Sequence, residues 1–155
     1  KQDIVRSCLN GVLIQERDLS FSSRDQLSAV TMIKPTEDQI RDMLFAEKLV
    51  KHTKSNAIIL VKDQQLIASG TGQTSRVDAL NQAILKAKTF KLNIKGAAMA
   101  SDAFFPFPDC VEIASEAGVA TIVQPGGSIK DQLSIDMANS KRIVMVTTGV
   151  RHFRH

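Results

Sequence analysis

Four short segments of the chain gather residue types that could hold a planar, anionic ligand. The segment SDAFFPFPD, residues 101–109, packs Phe104, Phe105 and Phe107 with two Pro between Asp102 and Asp109. Aromatic rings on a proline-stiffened loop make a flat apolar wall, and carboxylates at its edges can accept from the N–H groups of a heterocycle. A hydrophobic plug is the plainer alternative; the ligand wall is favoured. The segment QPGGS, residues 124–128, has two readings of equal weight. It is either a cradle of backbone N–H groups at a helix's positive end, suited to a carboxylate, phosphate or carbonyl, or a strand-to-helix turn that needs glycine. Arg76 falls in the first turn of an expected helix, where a cation opposes the helix dipole. It either serves an anionic ligand or is simply solvated, the second being the default. The ending RHFRH, residues 151–155, follows a strand directly, and Phe153 gives it an anchor for folding back rather than fraying.

Other chemistries lack their residues. No HxE with PCxxC and no HExxH occurs, so neither zinc-deaminase nor metalloprotease chemistry is supported. No GxSxG nucleophile elbow is present. GTGQTS, residues 70–75, lacks the third glycine of a dinucleotide fingerprint and follows a hairpin arm. His52 is expected at a helix end. Cys8 and Cys110 are far apart with no CxxC, which argues against disulfide and zinc and for a reducing cytoplasm. The 20 basic and 16 acidic residues give +4, compatible with anionic small ligands and short of a nucleic-acid signature. No apolar run approaches the roughly 20 residues of a membrane span.

These segments need elements to position them. Thr36 is expected to cap a helix running to about Thr53, with Ile40, Met43, Leu44, Leu49 and Val50 on its apolar face. Residues 57–61 and 65–68 read as a hairpin. Ser75 and Asp78 resemble a capping box for a helix carrying Val77, Leu80, Ile84 and Ala87. A strand at 96–99, a helix at 108–117 closed by Gly118, a strand at 121–123, a helix carrying Ile129, Leu133 and Met137 behind Ser128 and Asp131, and a strand at 143–146 complete the pattern. Such alternation predicts an α/β layered domain with partly parallel strands, whose ligand loops gather at the strands' carboxyl ends. The first 33 residues read instead as short strands, 12–14 and 29–33 (AVTMI), too poor in apolar periodicity for a domain. Residue 1 is Lys and no signal-peptide pattern follows, so the chain is expected to begin after an initiation site. Residues 1–34 are therefore expected to be a remnant leading from an upstream subdomain, and 35–155 the C-terminal subdomain.

KHTKSNAI, then the Arg of GQTSRVD twenty residues after Asn56, then SDAFFPFPD, QPGGSIKDQ and the terminal TGVRHFRH occur in that order. This combination resembles the later part of the AICAR transformylase region of the bifunctional AICAR transformylase/IMP cyclohydrolase family, over about residues 11–155. The resemblance implies a three-layer α/β/α, cytidine-deaminase-like subdomain with a mixed sheet, one of two related subdomains, in a cytoplasmic homodimer of purine (IMP) biosynthesis. It implies transfer of a formyl group from the cosubstrate 10-formyltetrahydrofolate to AICAR. No tightly bound cofactor, metal, nucleic acid or membrane is implied, and a monovalent cation is compatible. By position, Asn56, Arg76, Phe104 and Arg151 match AICAR contacts, and Val77, Asp109, Ser128 and Ile129 match folate contacts. Asp102 and His155 are assigned to ordering the site. The family's catalytic Lys-His pair and its cyclohydrolase domain are not matched. Lys51-His52 falls on the helix before the SN motif, where the family has no catalytic role. No catalytic residue is expected here, the N-terminal remainder is the expected partner, and the chain is expected to be inactive alone. A subunit completed by a separately encoded chain, and a non-catalytic folate- or nucleotide-binding or interaction module, are the alternatives.

Overall fold

Strand β4 (Ile58–Lys62) shows how the sequence builds the layers. Its side chains alternate between two cores, Ile58 and Leu60 on one face and Ile59 and Val61 on the other, all buried. A strand covered on both faces reads as an unbroken apolar run. The same alternation places Met99, Ile122 and Met145 in the first core and Ala98, Ala100, Val123, Val144 and Val146 in the second. The computed structural model describes residues 3–155.

Six strands form the central sheet in the order β3 (Ser28–Ala29), β8 (Val144–Thr147), β7 (Thr121–Gln124), β6 (Ala98–Ser101), β4 and β5 (Gln65–Gly70). β6, β7 and β8 are parallel; β3 on β8, β4 on β6 and β5 on β4 are antiparallel. Helix α1 (Glu37–Lys51) supplies Met43, Ala46 and Val50 to one core. Helices α2 (Arg76–Thr89), α3 (Asp109–Ala117) and α4 (Asp131–Ser140) cover the other face. The result is the expected three-layer α/β/α domain with a mixed sheet. β1 (Asp3–Cys8) and β2 (Gly11–Glu16) pair as a separate antiparallel hairpin.

Local chemistry explains the boundaries. Thr36 caps α1 through its side-chain oxygen, which accepts from the Gln39 amide, while the Gln39 side chain accepts from the Thr36 amide. Ser75 caps α2 by accepting from the Asp78 amide; its hydroxyl then donates to the Asp78 carboxylate, so this box closes on the side chain. Gly118 ends α3 at φ 94°, a left-handed conformation that suits glycine. Gly70 answers a different need, because an added Cβ would lie 1.7 Å from the Ala79 carbonyl oxygen of α2.

Several expectations are corrected. The strand at 29–33 stops at Ala29. Thr31 turns inward, accepts from the Met145 amide at 2.9 Å and donates to the Ile33 carbonyl at 3.0 Å, which takes the chain out of the ladder. Met32 and Ile33 are exposed. β1 was not expected at all. β6 begins two residues later than its apolar run. α4 begins at Asp131, so Ile129 is not on its apolar face but fully exposed, and Ser134 and Ala138 face inward instead.

Candidate functional site

The three parallel strands end together, and their loops are sewn to one another by backbone hydrogen bonds. After β8, the Thr148 and Gly149 amides donate to the carbonyls of Gln124, which ends β7, and of Pro125, which opens the following loop. The His152 amide donates to the Asp102 carbonyl after β6 at 2.9 Å. Asp102 in turn donates its amide to Ala57, at the start of β4. The QPGGS, SDAFFPFPD and terminal segments therefore meet at the sheet's carboxyl edge, as α/β topology predicts.

Arg76 enters from the first turn of α2. Its guanidinium Nη2 lies 3.5 Å from Asp102 Oδ1; Asp102 is fully buried and the Arg76 side chain 15% exposed. Arg76 is thus neither solvated nor waiting on a ligand for its only counter-charge. The pairing is incomplete, since Arg76 Nε and Asp102 Oδ2 are buried with no hydrogen-bond partner among the described residues. Asp102 is accordingly not the solvent-facing edge of an aromatic wall. The Phe153 ring joins the two arginines: the Arg151 guanidinium carbon is 4.6 Å from its centroid and that of Arg76 6.0 Å. His155 leans on the same ring at 5.6 Å between centroids. Asn56 faces the loop leading to α2, its Nδ2 donating to the Gln73 carbonyl at 3.0 Å. Asn56, Arg76, Asp102, Arg151 and His155 are in this way tied into one neighbourhood.

The second group of expected residues occupies the adjoining loops. Phe107 is exposed and stacks under the Lys130 ammonium at 4.4 Å, bridging the SDAFFPFPD and QPGGSIK loops. Asp109 is exposed at the start of α3 and accepts from the Cys110 amide at 2.8 Å. Ser128 accepts from the Lys130 amide at 3.1 Å, beside the exposed Ile129. Val77 is half-buried against the α2 core. Two sequence readings fail here. The aromatic loop is not a wall of three rings, because Phe105 is wholly buried in the core while Phe104 is half-buried. The glycine donors are already used: Gly126 donates to the Gln124 side chain at 3.0 Å and Gly127 to the Asp131 carboxylate at 2.6 Å. With φ of 71° and 96°, both glycines fit the turn reading. Cys110 is packing, its thiol pushed up to about 12 by burial and by Asp109.

Sequence reasoning gave no role to His152, which is 2% exposed. Its Nδ1 donates to Asp18 at 2.5 Å and its Nε2 to Glu47 of α1 at 2.9 Å. A neutral imidazole has a hydrogen on only one nitrogen, so facing carboxylates with both favours the imidazolium. Burial alone would lower its pKa, but the bonds and charges of Glu47 and Asp18 outweigh it and hold it above 6.5. Asp18 is lowered from 3.8: burial opposes, while the bonds from His152 and the Ser20 amide and the charges of His152 and Lys51 prevail. Ser22 donates to Glu47 at 2.7 Å, and Lys51 donates to the Ser20 carbonyl at 2.6 Å. No sequence signal marks this cluster, whose members lie 105 and 134 residues from His152. His52 stands at the end of α1 as expected, and its carbonyl accepts from Arg154 at 2.8 Å. A cleft of about 540 Å³ runs between the hairpin, the end of α1 and the terminal arm, lined by Gln15, Asp18, Lys51, His52, Phe153 and Arg154 among others. It shares Phe153 with the site above but none of the residues expected to contact ligand.

Residues 1–86 match the family model described as AICARFT/IMPCHase bienzyme. The chain is 57% identical over 150 residues to the bifunctional purine biosynthesis protein PurH of Bacteroides thetaiotaomicron, covering 97% of this chain and 30% of that protein. To the PurH protein of Caldicellulosiruptor bescii it is 51% identical over 151 residues, covering 97% and 29%. It is 46% identical to that of Aquifex aeolicus over 151 residues, with the same coverage. The chain thus spans about 30% of the length of the curated relatives it matches. In structure it resembles the dCMP deaminase of cyanophage S-TIM5 in its apo form, with a TM-score of 0.50 and 20% identity over 73% of this chain and 98% of that one. That likeness is one of fold, and it makes the layered domain cytidine-deaminase-like.

Proposed function

The chain belongs to the AICARFT/IMPCHase bienzyme family, and on that premise we propose that it carries the ligand-contacting part of an AICAR formyltransferase. The observation that supports this best is the pair of guanidinium groups, Arg76 and Arg151, gathered on one ring, Phe153, at the carboxyl edge of the sheet. Two arginines so placed suit a phosphate, which guanidinium groups bind through paired hydrogen bonds. The unused Arg76 Nε and Asp102 Oδ2 offer one donor and one acceptor at the same place. Asn56 and Phe104 complete the AICAR set. The neighbouring loops, with Val77, Asp109, Ser128 and Ile129, hold 10-formyltetrahydrofolate in this reading. The exposed Phe107 and Ile129 supply flat apolar surface there, and Asp109 an acceptor for pterin N–H groups.

In this reading the amine of AICAR attacks the formyl carbon and tetrahydrofolate leaves. The present residues bind and orient; none removes the amine proton. Lys-His occurs once, at Lys51-His52, and both residues line the separate cleft beside the hairpin. We place the reaction in a cytoplasmic homodimer whose site is completed by the N-terminal remainder; of residues 1–34, proposed to lead out of an upstream subdomain, the part from Asp18 to Thr31 is built into this domain. The experiment is direct. AICAR and 10-formyltetrahydrofolate are mixed with this chain alone and then with the upstream polypeptide. No turnover followed by restored formyl transfer supports the reading. Turnover by the chain alone, or none with the partner added, overturns it.

A further inference from the structure

The terminal arm, residues 148–155, carries Arg151 and Phe153 yet has no regular secondary structure to hold it. Its base is held by the Thr148 and Gly149 amides on Gln124 and Pro125, and the anchors beyond them can be named. The His152 amide donates to the Asp102 carbonyl. The Ser55 amide donates to the Arg154 carbonyl at 2.9 Å, and the Arg154 amide to Ser55 Oγ at 3.0 Å. The Arg154 guanidinium reaches the His52 carbonyl, and Gln15 both donates to the Phe153 carbonyl and accepts from the His155 amide. All of these except the His152 ring are neutral or exposed. The imidazole alone is driven into the protein, wedged between two carboxylates from two different segments.

From this geometry we infer that His152 is a positioning residue, whose imidazolium, clamped by Asp18 and Glu47, holds the terminal arm so that Arg151 and Phe153 stand beside Arg76. The inference rests on the reading that Arg76 and Arg151 meet the nucleotide, but its own test does not. The charged groups bonded to the ring and those next to them can be placed. Asp18 approaches from the segment after β2, and Glu47 from the middle of α1 with Ser22 on the same oxygen. Lys51, one turn further along α1, donates to the Ser20 carbonyl and lies over the Phe21 ring at 3.4 Å, and its charge acts on Asp18. Asp102 meets His152 only through the backbone, and its carboxylate is engaged by Arg76. The ring therefore faces two anions, and the Lys51 ammonium is engaged by the Ser20 carbonyl and the Phe21 ring. Deprotonation leaves one neutral nitrogen without a hydrogen against a buried carboxylate. The arm is then fastened in the protonated state and loosened in the neutral one.

The test uses amide hydrogen exchange of this chain, expressed as protection factors so that the intrinsic pH dependence is removed. In the unmodified chain, protection at residues 150–155 and Ser55 is expected to fall in one step as pH rises through the titration of His152, followed by its ring resonances. His152→Gln is expected to lower that protection about tenfold at pH 6, as losing a charge-assisted bond would, to abolish the step, and to lower protection at residues 150–155 by more than at Ile59 and Leu60 of β4, which open only with the whole fold. Equal protection in both chains at every pH overturns the inference. Should His152→Gln not fold, Glu47→Gln decides the matter: the step must move to lower pH together with the His152 titration, and a step that stays in place overturns it. AICAR titration of the same samples keeps the two readings apart. Absence of AICAR binding by the unmodified chain joined to the upstream polypeptide removes the proposed function and leaves the outcome of the exchange measurement standing.

Discussion

Two buried charged groups flank the terminal arm, and they are built differently. On one side His152 has both ring nitrogens bonded, at 2.5 and 2.9 Å, to carboxylates it cannot escape. On the other, Arg76 meets Asp102 at only 3.5 Å, and each keeps a buried polar atom without a partner among the described residues. The Glu47 carboxylate also keeps one oxygen, Oε2, buried without a partner among the described residues, so the contrast lies in the imidazole, whose two nitrogens are both engaged; removing either carboxylate strands its charge in the interior. An unsaturated pair is poised for a further partner, because unmade hydrogen bonds are costly until something completes them. The difference separates a group whose hydrogen bonds are made within the fold from one that, in the proposed function, is completed by a ligand.

The sharpest way to break this contrast is Glu47→Ala. It leaves the buried imidazole with one carboxylate and is expected to cost about 3 kcal/mol, read as a lower urea midpoint at unchanged slope. Arg76→Ala should act on binding instead. AICAR affinity of the chain completed by its upstream partner is expected to fall about tenfold, with a much smaller loss for a folate analogue by calorimetry; equal losses would argue against its assignment to the nucleotide. If Arg76→Ala lowers the urea midpoint as far as Glu47→Ala does, the two groups are the same kind of object and the contrast is wrong.

A pH series sharpens the comparison further. His152 has a raised pKa, so its stabilising contribution is complete below 6.5 and is lost as pH climbs through the folded value. Asp18 is depressed, so its share is present above 3.8 and is lost as pH falls through its folded value. Unfolding free energy should therefore decline on the alkaline side above pH 6.5, and that decline should be missing in His152→Gln. The smallest effect is expected at the exposed Arg24–Glu37 pair. Arg24→Ala should leave the melting temperature unchanged, since an exposed pair gains little beyond what water offers.

Much of the layered fold was legible because its signals are local. Thr36 and Ser75 cap the helices they were expected to cap, Gly118 closes α3, and Asp63-Gln64 make the turn of the β4–β5 hairpin with φ of 51° and 56°. Each depends on neighbours within four residues. Failures came where a distant partner overrode the local pattern. AVTMI is apolar enough for a strand, but the Thr31 hydroxyl bonds to Met145, more than a hundred residues away, and bends the chain. QPGGS is a local case instead: Gln124 and Asp131, two and four residues from the glycines that donate to them, take the amides of the expected cradle.

The order of the segments, the period of the apolar residues and the cap chemistry were determined by the sequence alone, because they are one-dimensional properties. They set the α/β class and brought the QPGGS, SDAFFPFPD and terminal segments to the carboxyl ends of β6, β7 and β8. Which side chains meet was decided by tertiary structure. Asp102 finds Arg76, Phe105 goes to the core while Phe107 stays out, and His152 is enclosed by Asp18 and Glu47. Such pairings join residues far apart in the chain, and their free energy exists only once burial has removed the water that would otherwise satisfy each group separately.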